Sequence, residues 1–273
     1  MNIAIVGGGP AGLSAAAHLS AAGLPVTLID EWDSLGGSAR YARPRETWTG
    51  KVGALDQLRQ ASGVSVRTGT VAWGAFRIAG GIQLMLNHAG VASEITVDQV
   101  VLASGTTDVV QPVSGGTLAG VLTERALRIL VNQHNVIPGS QIVIVGGSGS
   151  SRLAADIVHW QLAGVRITNV SLRMLTAIEG VGEVKAVRLR DGTAIPADTV
   201  VFAIGEAPDV QLAGMLGVPT VFDANRQGWF VPDSHPAADV WLCGGALLGA
   251  AGIEQVLQSA VDVVAGITGE VAK

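Results

Sequence analysis

The sequence predicts an α/β protein made of two doubly wound parallel-sheet domains, the second of them shortened. Three observations predict it. The order apolar strand, glycine turn, helical run, apolar strand occupies the opening stretch and starts again at Ile142. Hydrophobic residues make up 48% of the chain and charged residues 14%, with 37 glycines, a composition that suits buried parallel strands joined by close turns. The length of 273 residues allows two domains, each with a core of its own.

The opening stretch reads Ile3-Ala4-Ile5-Val6, then Gly7-Gly8-Gly9-Pro10-Ala11-Gly12, a helical run to Ala22, and Val26-Thr27-Leu28-Ile29-Asp30. Each part has a use if a dinucleotide binds. Gly7 allows the tight turn, Gly9 lets the backbone approach a pyrophosphate, and Gly12 lets helix and strand pack closely. Pro10 and Ala11 open the helix, whose free N–H groups and positive dipole end face the phosphates. Asp30 stands where a carboxylate accepts a hydrogen bond from a ribose hydroxyl. A glycine-rich turn in an ordinary parallel sheet would leave that acid unexplained, so the pattern is read as Rossmann-like.

The turn recurs in weakened form. After Ile142-Val143-Ile144-Val145 comes Gly146-Gly147-Ser148-Gly149-Ser150-Ser151, then a helical stretch over 152–162. Gly146 matches Gly7, but Ser148 and Ser151 stand where Gly9 and Gly12 do, placing a Cβ where a pyrophosphate would press on the backbone. The next strand, 165–170, ends at Asn169-Val170-Ser171 with no acid for a ribose. A hairpin follows through Asp191-Gly192. The expectation is a Rossmann-like domain that has kept its architecture and lost its nicotinamide nucleotide.

Three further strands, at 97–105, 198–205 and 238–245, each end in a small-residue turn, and the last leads into a helix over 252–267. That strand and helix are expected to return to the first domain. The division is then 1–110 plus 232–273 for the first domain and 111–231 for the second, with crossings near 107–116 and 223–235.

A net charge of −5 gives no reason to expect nucleic acid or an anionic membrane as partner. Cys243 is the one cysteine, which excludes an intramolecular disulfide and a CxxC cycle and makes a reducing cytoplasm the natural compartment. Residues 3–29 carry no formal charge, yet consecutive glycines, Pro10 and Pro25 break them into two strands and a helix rather than a membrane span. No basic n-region precedes them, which argues against a signal peptide.

These segments, in this order, resemble the two-dinucleotide-binding-domain flavoproteins of the thioredoxin reductase-like class, in the pyridine nucleotide-disulfide oxidoreductase superfamily. Asp30-Glu31-Trp32-Asp33-Ser34-Leu35-Gly36-Gly37 resembles the class's acid and Leu-Gly-Gly stretch along FAD. Glu46-Thr47-Trp48-Thr49-Gly50 is similar to its Glu-Asn-Trp/Tyr-Pro-Gly segment beside the flavin ring, with Thr47 and Thr49 in place of Asn and Pro. Ala103-Ser104-Gly105 stands where the class has Ala-Thr-Gly. The resemblance implies FAD as cofactor, held by Gly7, Gly9, Pro10, Ala11, Gly12, Asp30, Glu31, Gly36, Gly37, Trp48, Val71, Ser104, Gly105, Gly244, Gly245, Gly252 and Ile253.

Departures from the class bear on the chemistry. Neither residues 117–141 nor residues 38–50 hold a cysteine, so disulfide reduction is not expected, and Cys243 reads as a buried, inert thiol. The later pattern, Asp198-Thr199-Val200-Val201, then Gly228-Trp229-Phe230-Val231-Pro232, then a glycine turn and a Gly/Ala-rich helix, resembles the flavin subunits of hydrogen cyanide synthase, octopine oxidase and hydroxyproline dehydrogenase. That implies an FAD-dependent dehydrogenase or oxidase acting on an amine or amino acid. Its partners would be a small-molecule substrate and a second subunit or electron-transfer protein, with homo-oligomerisation left open. Two alternatives stand beside it: an NAD(P)H-dependent flavoprotein reductase, and a non-catalytic scaffold with weak or no flavin. The last is motivated by Cys243-Gly244-Gly245, which lacks the aspartate of the class's Cys-Gly-Asp turn, a loss of about 1–3 kcal/mol.

Other candidates carry two readings each. The helix start at Gly252-Ile253-Glu254 would stabilise negative charge on a reduced ring, or merely pack. Arg40, Tyr41, Arg43 and Arg45 form a basic cluster that either binds a substrate carboxylate or is a solvated loop. His235 is a conceivable base or a bystander. His18 and His159 lie within helical runs and need no functional account. Trp48 stacks near the ring or packs in the core.

Overall fold

A computed structural model describes residues 1–42, 47–146, 164–225 and 228–271. The chain divides into two compact units, Met1–Thr107 with Glu206–Lys273, and Asp108–Gly205.

The first unit opens with β1 (Ile3–Val6), α1 (Pro10–Ala21) and β2 (Val26–Ile29), followed by α2 (Thr47–Ser62) and β3 (Ser65–Arg67). A three-stranded antiparallel meander comes next, β4 (Thr70–Ile78), β5 (Gly81–His88) and β6 (Val91–Val97). Then come β7 (Gln99–Leu102) and β8 (Thr106–Asp108). The sequence pattern does not resolve the meander. Its second turn, Ala89-Gly90, has φ of 50° and 84°, the paired positive values that a two-residue hairpin turn requires.

In the second unit, β9 (Val121–Thr123) leads into α3 (Glu124–His134), β10 (Gln141–Gly146) and β11 (Arg166–Val170). An antiparallel sheet follows, β12 (Leu175–Val181), β13 (Glu183–Leu189) and β14 (Ala194–Pro196), and β15 (Thr199–Ala203) closes the unit. The parallel sheet has the order β11-β10-β15-β9, and the expected hairpin through Asp191-Gly192 is β13 and β14. Thr123 caps α3 by accepting from the Ala126 N–H at 3.2 Å. Val143, Val145, Val200 and Phe202 pack towards β12–β14, while Ile142, Ile144 and Val201 face Leu127 of α3.

The chain returns to the first unit through β16 (Glu206–Pro208), which pairs with β8, and α4 (Gln211–Met215). The hairpin β17 (Val221–Asp223) and β18 (Gly228–Phe230) precedes β19 (Val240–Leu242), α5 (Gly245–Leu248) and α6 (Ile253–Val271). Residues 206–231, which the sequence division gives to the second domain, cluster with the first unit. The physical reason is α4: Leu212, Ala213 and Leu216 fill the core beneath the meander.

The first unit has three layers. Its parallel sheet runs β3-β2-β1-β7-β19. Ile3, Ile5, Leu28, Val101 and Trp241 face α1 and α6, where Leu13, Leu19, Val256, Val263 and Ile267 pack. Ala4, Val6, Val100 and Leu102 face the other way, onto Ile82, Leu84 and Leu86 of the meander. β1 is therefore buried on both sides, which is why it reads as a continuous apolar run. The strand order reverses direction at β1, so the crevice beyond its carboxyl end is the place where such sheets bind ligands.

Candidate functional site

The turn after β1 is fixed by contacts that only glycine tolerates. Gly7 has φ of 108°, and a Cβ there would lie 2.2 Å from the Ala103 carbonyl oxygen. A Cβ at Gly12 would lie 1.8 Å from the Gly7 carbonyl oxygen, so α1 sits directly on the turn. Gly9 is different. Its Cβ would meet only Gly37 Cα, at 3.8 Å, which leaves the backbone there open to a ligand. Pro10 opens α1 with no N–H to satisfy, and the N–H groups of the first turn have no acceptor within the helix.

Asp30 follows β2 directly and is 6% exposed. Its Oδ2 accepts from the Gly8 N–H at 2.5 Å and its Oδ1 from the Trp32 N–H at 2.8 Å. Burial raises its pKa above the ordinary carboxylate value, against the pull of those two N–H donors and of Arg40. Glu31, beside it, is exposed. The next loop folds back on the turn, the Gly36 N–H donating to the Gly8 carbonyl at 2.8 Å. Gly36 and Gly37 have φ of 124° and 52°, and a Cβ on Gly37 would lie 2.8 Å from Gly9 Cα. Val71 lies on β4 immediately after Thr70, whose N–H donates to the Asp30 carbonyl at 2.9 Å.

The far side of the site is made by the ends of β7 and β19. Ser104 Oγ donates to the Asp209 carbonyl at 2.9 Å, and Gly105, with φ of 81°, has open space where a side chain would be. Thr106 Oγ1 donates to Glu206 Oε2 at 2.8 Å. The Gly244 N–H is held by Ser259 Oγ of α6 at 2.9 Å. A Cβ at Gly245 would stand 2.9 Å from Thr106 Cγ2 and 3.0 Å from the Gly105 carbonyl carbon. Glycine at 245 thus fits its neighbours, and the acid missing from this turn has no room without moving them. Gly252 and Ile253 open α6, and Glu254 of its first turn pairs with Lys51 of α2.

The structure therefore brings together, in one unit and at one end of one sheet, the residues from Gly7 to Gly12, Asp30, Glu31, Gly36, Gly37, Val71, Ser104, Gly105, Gly244, Gly245, Gly252 and Ile253. Trp48 lies in the first turn of α2, with its side chain outside the described residues, as are Arg43, Arg45, His159 and the turn from Gly147 to Ser151. Within β10, Gly146 has φ of 122° and a would-be Cβ 2.4 Å from the Ala203 carbonyl oxygen, the counterpart of Gly7 against Ala103. His235 stacks flat on Trp241, centroids 3.6 Å apart, and Trp241 is held from the other end of β7 by Gln99 at 3.0 Å. That geometry gives His235 a packing role. Tyr41 is buried, and Arg40 turns towards Trp32 and Ser34. Sequence reasoning missed three links: Thr106 with Glu206, Lys51 with Glu254, and Arg40 with Trp32. Only the first left a signal, since Gly105-Thr106 and Gly205-Glu206 end parallel strands of the same design.

Fold and site together define a dinucleotide-binding protein of the doubly wound α/β type. The chain belongs to the pyridine nucleotide-disulphide oxidoreductase family, whose profile matches residues 1–152. An opine oxidase chain of Agrobacterium tumefaciens (strain Ach5) is 29% identical over 163 residues, 53% of this chain and 32% of the relative. The alpha chain of sarcosine oxidase from Rhizobium meliloti (strain 1021) is 26% identical over 283 residues, 90% of this chain and 28% of the relative. The chain thus spans about a third of the length of these curated relatives. Among solved structures, L-proline dehydrogenase from P. horikoshii superposes with a TM-score of 0.86 at 22% identity, over 99% of this chain and 55% of that one. Thioredoxin reductase from T. acidophilum gives 0.76 at 19% identity, over 99% of this chain and 98% of that one. Among the described residues, no helix is long and apolar enough to cross a membrane.

Proposed function

We propose that the chain is an FAD-dependent oxidoreductase without a redox disulfide, working as a dehydrogenase or oxidase, or as part of one, on an amine or amino acid. The observation that carries this reading is the combination of an intact dinucleotide cradle with a single, fully buried cysteine. The names of the relatives, opine oxidase and sarcosine oxidase, supply the substrate class. The diphosphate would lie against Gly9 and the first turn of α1, with Glu31 rather than Asp30 offered to a ribose, because both oxygens of Asp30 already hold backbone N–H groups. When bound, FAD supplies the two-electron acceptor; the chain's residues bind and orient it. Ser104, Gly105 and the turn at Gly244-Gly245 would line its middle, and the start of α6 would face the ring.

The test is the visible spectrum of the purified protein before and after addition of FAD, followed by anaerobic titration with sarcosine, L-proline and an opine. Bleaching by one of these supports the reading. Bleaching by NADH or NADPH in their place makes the chain a pyridine nucleotide-dependent reductase. A colourless protein that takes up no FAD leaves only a scaffold.

A further inference from the structure

We propose that Glu206 is a carboxylate grip for the sugar-alcohol chain between the diphosphate and the ring, reaching the site from β16 and held in place by Thr106. This rests on the cofactor reading above and gives a use to a residue that the sequence leaves unassigned.

The middle of FAD carries a row of hydroxyl groups, which donate hydrogen bonds and so call for acceptors. The turn Cys243-Gly244-Gly245 carries no acid of its own. The direction in which a side chain at 245 would grow is filled by Thr106 Cγ2, 2.9 Å from a would-be Cβ, and by the Gly105 backbone. Thr106 thus stands where a side chain of that turn would stand, and its Oγ1 donates to Glu206 Oε2 at 2.8 Å. A carboxylate therefore reaches the Gly105 and Gly245 side of the crevice from a different strand.

That strand is fixed against the end of β7. The Asp209 N–H donates to the Gly105 carbonyl at 3.0 Å, and the Asp209 carbonyl accepts from Ser104 Oγ at 2.9 Å. Thr106 and Glu206 are both half-buried, which strengthens a charged hydrogen bond and still leaves the pair within reach of a ligand. The neighbouring carboxylates are committed elsewhere. Asp30 holds two backbone N–H groups at the acid end, Asp209 Oδ1 accepts from the Gln211 N–H at 3.2 Å, and Glu254 pairs with Lys51. A carboxylate has about four lone-pair positions, so Glu206 can hold the threonine and accept from ligand hydroxyls at once. Thr106 is then a positioning residue, since its hydroxyl sets which way the carboxylate faces. The chemistry that fits is a polyol, neutral and rich in donors, while the N–H groups of the first turn of α1 meet the diphosphate.

The experiment compares FAD with an analogue whose ribityl hydroxyls are replaced by hydrogen, titrated into the intact chain by flavin fluorescence. Glu206→Ala is expected to weaken FAD about tenfold and to leave the analogue unchanged, because the analogue offers the carboxylate nothing to hold. Glu206→Gln keeps one acceptor oxygen without the charge and is expected to weaken FAD about threefold. Should Glu206→Ala fold poorly, the same comparison in Glu206→Gln decides. Thr106→Val keeps the shape, removes the hydroxyl and is expected to weaken FAD severalfold, again with no effect on the analogue. FAD affinity unchanged in both Glu206 variants, or equal losses for FAD and the analogue, overturns the grip and leaves the cofactor reading standing. A wild type that binds no FAD overturns both.

Discussion

Asp30, which the sequence offers to a ribose, is also a brace for the backbone. Its two oxygens hold the Gly8 and Trp32 N–H groups, so it braces the glycine turn from beneath. Asp30→Ala is expected to cost about 1–3 kcal/mol in denaturant titration, because it strands buried N–H donors, whereas Asp30→Asn keeps one acceptor and costs less. Burial raises the pKa of Asp30 above 3.8, so the folded chain holds this proton more tightly than the unfolded one. Its contribution to stability is therefore greatest below the unfolded value and is lost as pH rises through the folded one. Wild type should lose stability relative to Asp30→Asn as pH rises from about 4, measured as the gap between their urea midpoints. Cys243 makes a second case. It is fully buried, and burial pushes its thiol up to about 12. A disulfide reagent should titrate no thiol in the native chain and one after unfolding; reaction in the native state would contradict the burial.

At the scale of the element, strand, turn and helix from Ile3 to Ala21 were legible in the sequence because the apolar run, the glycine spacing and the helix start are local patterns, although the contact that demands Gly7 comes from Ala103. Two glycines of the same turn should separate folding from binding. Gly12→Ala puts a Cβ 1.8 Å from a backbone oxygen and is expected to abolish soluble, folded protein. Gly9→Ala puts one in ordinary contact with Gly37 Cα, 3.8 Å away, at φ of −75° and should fold with an unchanged melting temperature, yet bind FAD at least tenfold more weakly. Loss of folding in Gly9→Ala would refute the open cradle. The meander was not legible. β4 carries a bulge between Ala72 and Gly74, and its solvent side bears Trp73 and Phe76, so the alternation that marks a half-buried strand is blurred.

Across the whole molecule, the proposed cofactor site draws on both segments of the first unit, residues up to Thr107 and from Glu206 on. A ligand that binds only when these ends are assembled stabilises the folded chain by mass action. FAD at about a hundredfold excess over Kd should add about 2.7 kcal/mol, read as a rise in melting temperature. NADH at the same concentration should give no such rise, in keeping with the serines that replace glycines in the second turn; an equal shift would show a working second nucleotide site.

By itself the sequence determined the α/β class, the first glycine turn and the impossibility of a disulfide within these 273 residues, because those depend on apolar and glycine spacing along the chain and on how many cysteines it has. It pointed to Asp30, Gly245, His235 and Arg40 as positions that mattered. Only the tertiary structure decided what each one touches. Asp30 faces the turn, Gly245 is crowded by Thr106, His235 lies on Trp241, and Arg40 lies on Trp32. The reason is distance along the chain: Gly245 meets Thr106 only because β7 and β19 are neighbours in the sheet, and no local pattern encodes that pairing.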